Sequence, residues 1–160
     1  MDRIDKILNH DLFLYHLGKN NAAEADRRFC RHSMVHFLDV ARIGTIIALE
    51  EGLELDREWI YAAALLHDCG KHEQYENGTP HEQASARIAP EILKNCGFDD
   101  KETDVIVTAI SRHRDPEAAK EKNLNGVLYR ADKESRACFA CDAEKDCNWK
   151  DGKKNLTIRY

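Results

Sequence analysis

Apolar side chains recur at spacings of three and four residues along much of the chain, a pattern typical of amphipathic helices. The longest such stretch runs from Asp26 to Glu51 and ends before Gly52, a residue type common just after a helix. Asp56 is a suitable N-cap for a second helix that the pattern extends to Leu66. Strand signals are weak because β-branched residues rarely alternate with polar ones.

Three further helices are predicted, covering approximately residues 80–96, 100–113 and 124–132. Pro90 lies inside the first of them, which predicts a kink or a break at that point. The last six residues are compatible with a short extended segment. The pattern therefore predicts an all-α protein.

The chain has 160 residues, enough for one domain with a sizeable hydrophobic core. No internal repeat, low-complexity stretch or long linker divides it. We therefore predict a single helical-bundle domain over residues 1–160. Its core covers about residues 26–136, and a short Cys-rich C-terminal segment, 137–160, follows the core.

The formal net charge is −5, which provides no long-range attraction to nucleic acid. No apolar run approaches the roughly 18 residues needed to span a bilayer. The first residues lack the basic head and apolar core of a secretory signal. We therefore expect a cytoplasmic protein with neither a nucleic-acid nor a membrane partner, and the pattern leaves its oligomeric state open.

His67 and Asp68 directly follow the apolar run at residues 62–66. A carboxylate at the end of a buried helix must be paired or coordinated, because an isolated buried charge is very costly. The adjacent imidazole favours coordination of a metal. Further candidate ligands are His32, His36, His72, His81, His113 and Asp132. Imidazoles and carboxylates suit iron, manganese or zinc better than calcium.

Two segments resemble the HD superfamily of metal-dependent phosphohydrolases. They are HFLDVA at residues 36–41 and AALLHDCGK at residues 63–71, and Asp132 fits the distant aspartate of the same pattern. The resemblance extends over approximately residues 31–136. It implies a helical HD domain that acts on a phosphorylated small molecule.

The resemblance also implies a ligand set. The first ion would be held by His36, His67, Asp68 and Asp132. His81 and His113 match the two extra histidines of the two-metal branch, in which Asp68 would bridge both ions. That branch includes cyclic-dinucleotide phosphodiesterases of the HD-GYP type and bacterial diadenosine tetraphosphate hydrolases. The Gly-Tyr-Pro signature is absent here, and the chain resembles the second group more in size and in its Ala-Asp-Lys element.

One or two divalent ions would lower the pKa of bound water and supply a hydroxide nucleophile. The candidate metals are iron, manganese, zinc, nickel and cobalt. Cationic side chains would stabilise the transferring phosphoryl group. Lys71 is the first candidate for this role. Other candidate substrate-binding residues are Arg112, Arg114, Lys133 and Arg136. His32 lies one helical turn before His36, so we assign it to the catalytic set with Asp68 and Lys71. A nucleotide is the favoured substrate.

Six cysteines occur in a chain with no signal peptide, which favours reduced thiols or metal ligands over disulfides. Cys138, Cys141 and Cys147 form a cluster, and Cys30 is the best candidate for a fourth ligand. These four residues are a candidate second metal site, holding structural zinc or an iron–sulfur cluster. Redox chemistry at Cys138 and Cys141, or plain reduced thiols, are the alternatives.

Two other function classes remain compatible with the sequence. A di-iron oxygenase is one, since some HD proteins use two irons for oxidative cleavage. The other is a non-catalytic nucleotide or metal sensor, which would bind its ligand without turnover. The chain contains no Walker loop, Rossmann fingerprint or nucleophilic serine elbow, so those classes are set aside.

Overall fold

A computed structural model describes all 160 residues as eight α-helices and four short 3₁₀ helices, with no strand. The α-helices are α1 (Asp2–Leu8), α2 (Asp11–Ala23), α3 (Met34–Glu50), α4 (Arg57–Leu66), α5 (Lys71–Asn77), α6 (His81–Asn95), α7 (Asp100–Arg112) and α8 (Leu124–Glu134). The 3₁₀ helices are Pro116–Lys120, Cys138–Ala140, Glu144–Asp146 and Asp151–Lys153. The predicted all-α class is confirmed. No helix combines the length and apolar character needed to cross a membrane.

Several helix ends form where the sequence predicts them. The Asp56 carboxylate accepts a hydrogen bond from the Glu58 backbone N–H at 2.7 Å and caps α4. Asp99 and Glu102 form a reciprocal capping box at the start of α7. Gly97 follows α6 with a φ of 94°, a conformation that favours glycine. The predicted break at Pro90 does not occur, since α6 continues through it.

The first long helix is shorter than its hydrophobic pattern predicts. It begins at Met34 rather than near residue 26, and the segment before it is irregular. In that segment the Glu24 carboxylate accepts a hydrogen bond from the His32 backbone N–H at 2.6 Å, and Arg27 Nε donates to the Cys30 carbonyl at 2.9 Å. Side-chain bonds of this kind compete with the helical ladder for the backbone, and here they replace it.

Helices α1, α2 and α5 have no counterpart among the sequence-based predictions. The amphipathic pattern of apolar residues is weak in α2 because Leu14 and Tyr15 are exposed while the polar residues His16 and Asn20 are buried. Residues 155–160, for which the sequence is compatible with an extended segment, are irregular. A regular amphipathic pattern therefore identifies only the helices that form the central bundle.

One cluster of 28 buried residues, from Ile4 to Ala131, forms the core. Helix α4 lies in its centre, where it packs against α3, α7 and α8. The side chains of residues 62–66 are fully inaccessible to solvent. His67 and Asp68 come immediately after this helix, so the fold places their side chains inside the bundle.

Candidate metal centre

The carboxylate of Asp68 lies at the centre of a cluster of imidazoles. Its Oδ2 atom is 3.0 Å from Nε2 of His67 and 3.6 Å from Nε2 of His36. Its Oδ1 atom is 3.2 Å from Nε2 of His81 and 3.5 Å from Nε2 of His113. Each oxygen of Asp68 therefore faces a different pair of histidines.

The first group consists of four residues from three parts of the chain. His36 lies on α3, His67 and Asp68 follow α4, and Asp132 lies on α8. The Oδ1 atom of Asp132 is 3.5 Å from His36 Nε2 and 3.8 Å from His67 Nε2. One ligand atom from each of the four residues lies within 4.8 Å of all the others, a spacing that suits one shared ion.

The second group consists of Asp68, His81 and His113, whose ligand atoms also lie within 4.8 Å of one another. His81 is the first residue of α6, and His113 follows α7. Their Nε2 atoms are 3.2 Å apart. The structure thus brings together all six residues for which the resemblance implies metal binding, and Asp68 belongs to both groups.

The hydrogen bonds of these residues fit a metal site. Nδ1 of His67 contacts the Ala64 carbonyl at 2.7 Å, and Nδ1 of His113 contacts the Ile110 carbonyl at 2.7 Å. A carbonyl only accepts, so each Nδ1 carries a proton and each Nε2 is left to face Asp68. Three of the buried ligand atoms at this centre have no hydrogen-bond partner, namely His36 Nε2, His67 Nε2 and Asp68 Oδ1. Such atoms are costly unless a ligand satisfies them, which favours a cation at this point.

The electrostatics also favour a cation. Burial alone would raise the pKa of the Asp68 carboxyl, but His67 and His32 hold that pKa well below its usual range. Burial opposes a charge on His67 as well, yet Asp68 and Asp132 raise its pKa to about 10. Burial would likewise raise the pKa of the Asp132 carboxyl, but hydrogen bonds from His36 and His67 hold that pKa well below its usual range. The two ionised carboxylates therefore require a compensating positive charge, which a divalent ion supplies in place of a proton.

His81 differs from His67 in its charge state. Burial, supported by the neighbouring charges of Lys71 and Arg114, lowers the pKa of His81 to about 3 in spite of Asp68. Its imidazole is therefore neutral at physiological pH, the form in which histidine binds metals.

His32 lies beside the site but not on the helix that carries His36. It precedes α3, so the predicted shared helical face is wrong, although its Nε2 is still 3.7 Å from Asp68 Oδ2. Nδ1 of His32 contacts Glu24 Oε1 at 2.5 Å, and the Tyr75 hydroxyl donates to the same oxygen at 2.6 Å. Burial would raise the pKa of Glu24, but the hydrogen bonds from His32 and Tyr75 lower it to about 2. An ionised Glu24 therefore fixes the ring of His32 so that Nε2 faces the centre.

Sequence reasoning missed Glu24, and it also missed Asn20. The side-chain amide of Asn20 donates to the Asp68 carbonyl at 2.8 Å and accepts from the His72 backbone N–H at 2.8 Å. These bonds tie α2 to the turn that carries the His-Asp doublet. Both residues lie in a polar stretch with no motif, so only their burial in the folded chain reveals their role.

A cavity of about 690 Å³ opens beside the centre. Four of the predicted substrate-binding cations line it, namely Lys71, Arg114, Lys133 and Arg136. Arg112 does not line the cavity, and instead pairs with Asp115 at 2.8 Å and with Glu121 at 2.6 Å. Arg112 therefore stabilises the segment after α7 and has no free charge for a substrate.

The four candidate cysteine ligands do not form a tight group of ligand atoms in the structure. All are free and half-buried, and no three of their sulfur atoms lie within 4.8 Å of one another. Arg28 pairs with Asp146 at 2.7 Å, which holds the segment around Cys30 beside the one around Cys147. A zinc or iron–sulfur site at these residues stays a prediction, which metal and acid-labile sulfide per chain in anaerobically purified protein would test.

Another group of possible ligand atoms comprises His16, His72 and Glu73. Its atoms already have partners, since His16 Nδ1 and His72 Nε2 are 2.8 Å apart and hydrogen-bonded, and Glu73 pairs with Arg87. We interpret this group as a polar contact between α2 and α5.

The fold and this ligand cluster define a helical protein with a buried histidine–aspartate centre. The sequence model of the HD domain family matches residues 34–148, so the chain belongs to that family, as its motifs indicate. It is 49% identical over 160 residues to an uncharacterized protein of Clostridium beijerinckii, and the match covers 100% of both chains. No solved structure matches the chain.

Proposed function

We propose that this protein is a metal-dependent phosphohydrolase that cleaves a phosphate ester or anhydride, with a nucleotide as the favoured substrate. The observation that carries the proposal is the position of Asp68, whose two oxygens face two separate pairs of histidines. A carboxylate in this position can be shared by two ions, and two-ion sites are well suited to displacement at phosphorus. Membership of the HD family supports the same reaction class.

The ligands expected for the two ions are the six residues of the centre. When bound, the ions would lower the pKa of water and neutralise charge on the phosphoryl oxygens. The protein's own contribution is to hold these ligands in place on helices that pack around α4. Their rigid support keeps the ligand atoms aligned without a cost of reorganisation during the reaction.

Lys71 would bind the phosphoryl group directly. Its Nζ lies 3.2 Å from His81 Nδ1 and 3.4 Å from Gln74 Oε1, and no carboxylate pairs with it. Burial lowers the pKa of Lys71, and nearby Arg114 adds to this effect. A buried ammonium without a paired anion is well placed to accept a phosphoryl oxygen as its partner.

The test is release of phosphate or nucleotide from a broad nucleotide panel with manganese, iron, cobalt or nickel present. We expect turnover by the wild type and a loss of about 100- to 1,000-fold in Asp68→Asn, since a single electrostatic group is worth that much in such sites. Asp39→Asn is the matched control because Asp39 lies on α3 with its side chain exposed, paired only with Arg42.

Two results would contradict the proposal. Oxygen uptake with an organophosphonate or a cyclitol, without hydrolysis of any nucleotide, would indicate a di-iron oxygenase. Nucleotide binding without turnover under every metal would indicate a sensor.

A further inference from the structure

The cavity beside the metal centre is strongly basic in a chain that is acidic overall. Its lining includes nine lysines and arginines but only three aspartates and glutamates, whereas the whole chain has a net charge of −5. Only two of its 21 lining residues are hydrophobic. A lining of this kind favours a polar anion and disfavours an apolar ligand.

The C-terminal segment forms a large part of this cavity, since eight of the lining residues lie after residue 147. The segment is held against the end of α8, the helix that carries Asp132. The side-chain amide of Asn155, which is buried, donates to the carbonyls of Lys133 at 2.7 Å and Arg136 at 3.0 Å. The ring of Trp149 packs beneath the Arg136 guanidinium, 4.9 Å from its centroid.

The cations of the cavity fall into two classes. Several are already neutralised, as Lys154 is by Glu144 at 2.7 Å and Arg159 is by Glu134 at 2.8 Å. Others have no carboxylate within 4.0 Å, namely Lys71, Arg114, Lys150 and Lys153. Lys71 lies at the metal centre, where it contacts His81, whereas Lys150 and Lys153 belong to the C-terminal segment. Unpaired positive charge is thus present on two different parts of the lining.

We propose that Lys150 and Lys153 bind phosphate groups other than the one that is cleaved, so that the C-terminal segment selects compounds with two or more phosphoryl groups. This inference rests on the proposed function, which places the reacting phosphoryl group at Lys71 and the metal ligands. A single phosphate would neutralise only the cations at the centre. A nucleoside polyphosphate would engage both sets and would therefore bind more tightly than a monophosphate.

Binding of inorganic phosphates tests this inference without turnover. We expect isothermal titration of the full-length protein to give at least about tenfold tighter binding of tripolyphosphate than of orthophosphate. The double variant K150A/K153A should lose about tenfold in tripolyphosphate affinity and keep its orthophosphate affinity. The matched control is K122A/K145A, which removes two exposed lysines that neither line the cavity nor form ion pairs.

Equal affinity of the wild type for the two anions would overturn the inference, as would an unchanged tripolyphosphate affinity in K150A/K153A. Turnover provides a second readout, since kcat/KM should fall in K150A/K153A for a nucleoside triphosphate but not for the monophosphate. A parallel fall for both substrates would also overturn it. Tight tripolyphosphate binding without turnover of any nucleotide would reject the proposed hydrolysis and leave this anion site standing.

Discussion

The carboxylate of Glu24 holds His32 in place through both of its oxygens, which accept bonds from the imidazole and from the backbone N–H. Glu24→Gln keeps the size of the side chain but removes its charge, and its NH₂ group replaces one acceptor oxygen, so only one of the two bonds can form. We expect kcat/KM to fall by about 10–100-fold, the usual cost of losing a residue that orients a group at a metal centre.

Steady-state kinetics at fixed metal concentration would measure this effect. Glu50→Gln is the control, because Glu50 is exposed at the end of α3 and forms no ion pair. If the two variants retained equal activity, Glu24 would have no positioning role. A melting temperature measured for each variant would separate a loss of fold from a loss of function.

The same residues show what a sequence reveals about a site. His67 and Asp68 stand out because a charged doublet directly after an apolar run needs a partner. Glu24 gives no such signal, because its surroundings in the sequence are polar and its burial arises only when α2 packs near α5. The residues that gather at the candidate metal centre could thus be predicted, whereas the group that orients His32 could not.

At the scale of elements, the turn between the His-Asp doublet and α5 depends on Gly70. A Cβ atom at this position would lie 2.7 Å from both the Ser85 backbone nitrogen and the Ala84 Cβ atom on α6. Neither is the end of a flexible side chain, so α5 and α6 would have to move apart. We expect Gly70→Ala to lower the free energy of unfolding by about 1–3 kcal/mol.

Urea denaturation would measure this change. Gly18→Ala is the matched control, since Gly18 lies inside α2 and an added Cβ would meet nothing within 4 Å. That variant should be neutral or more stable by up to about 1 kcal/mol, because alanine favours a helix more than glycine does. Equal stability of the two variants would show that the contact at Gly70 is not tight.

Helix prediction from the pattern succeeds where a local signal agrees with the packing. The helices that begin after Asp56 and Asp99 have both a cap and a buried face, and both were predictable. The start of α3 was not, because the bonds that unwind the preceding segment come from Glu24, eight residues before His32. The break predicted at Pro90 was wrong for a related reason, since it too depends on packing that the local sequence does not show. Helix α6 packs against α5 and α7 and continues through Pro90.

At the scale of the whole molecule, Glu102 joins the N-terminal helix to the bundle. Its carboxylate accepts hydrogen bonds from Arg3 on α1 at 2.8 Å and from Trp59 on α4 at 3.0 Å. Burial would raise the pKa of Glu102, but the bonds from Trp59 and Arg3 lower it to about 2. A lowered pKa means that this group stabilises the fold above the usual pKa of a glutamate and stops doing so as the pH falls toward 2.

Glu102→Gln should therefore cost about 1 kcal/mol at pH 7, and the difference from wild type should shrink as the pH falls from about 5 to 2. Urea denaturation at a series of pH values would measure it. A difference that grew on acidification would contradict the assignment of a lowered pKa to this residue.

Metal binding should also stabilise the whole molecule. The candidate metal ligands lie on or directly after five of the helices, so a bound ion would hold these helices together. At about 100 times its Kd, manganese should add about 2.7 kcal/mol and raise the melting temperature by about 5–10 °C. Asp132→Asn should lose most of this rise, since it replaces a charged ligand on α8, whereas Asp39→Asn should keep it. If Asp132→Asn kept the full manganese-induced rise in melting temperature, the stabilising ion would bind elsewhere, and the four cysteines would be the next site to test. If only Asp132→Asn lost that rise, the stability of the bundle would be linked to the histidine–aspartate centre.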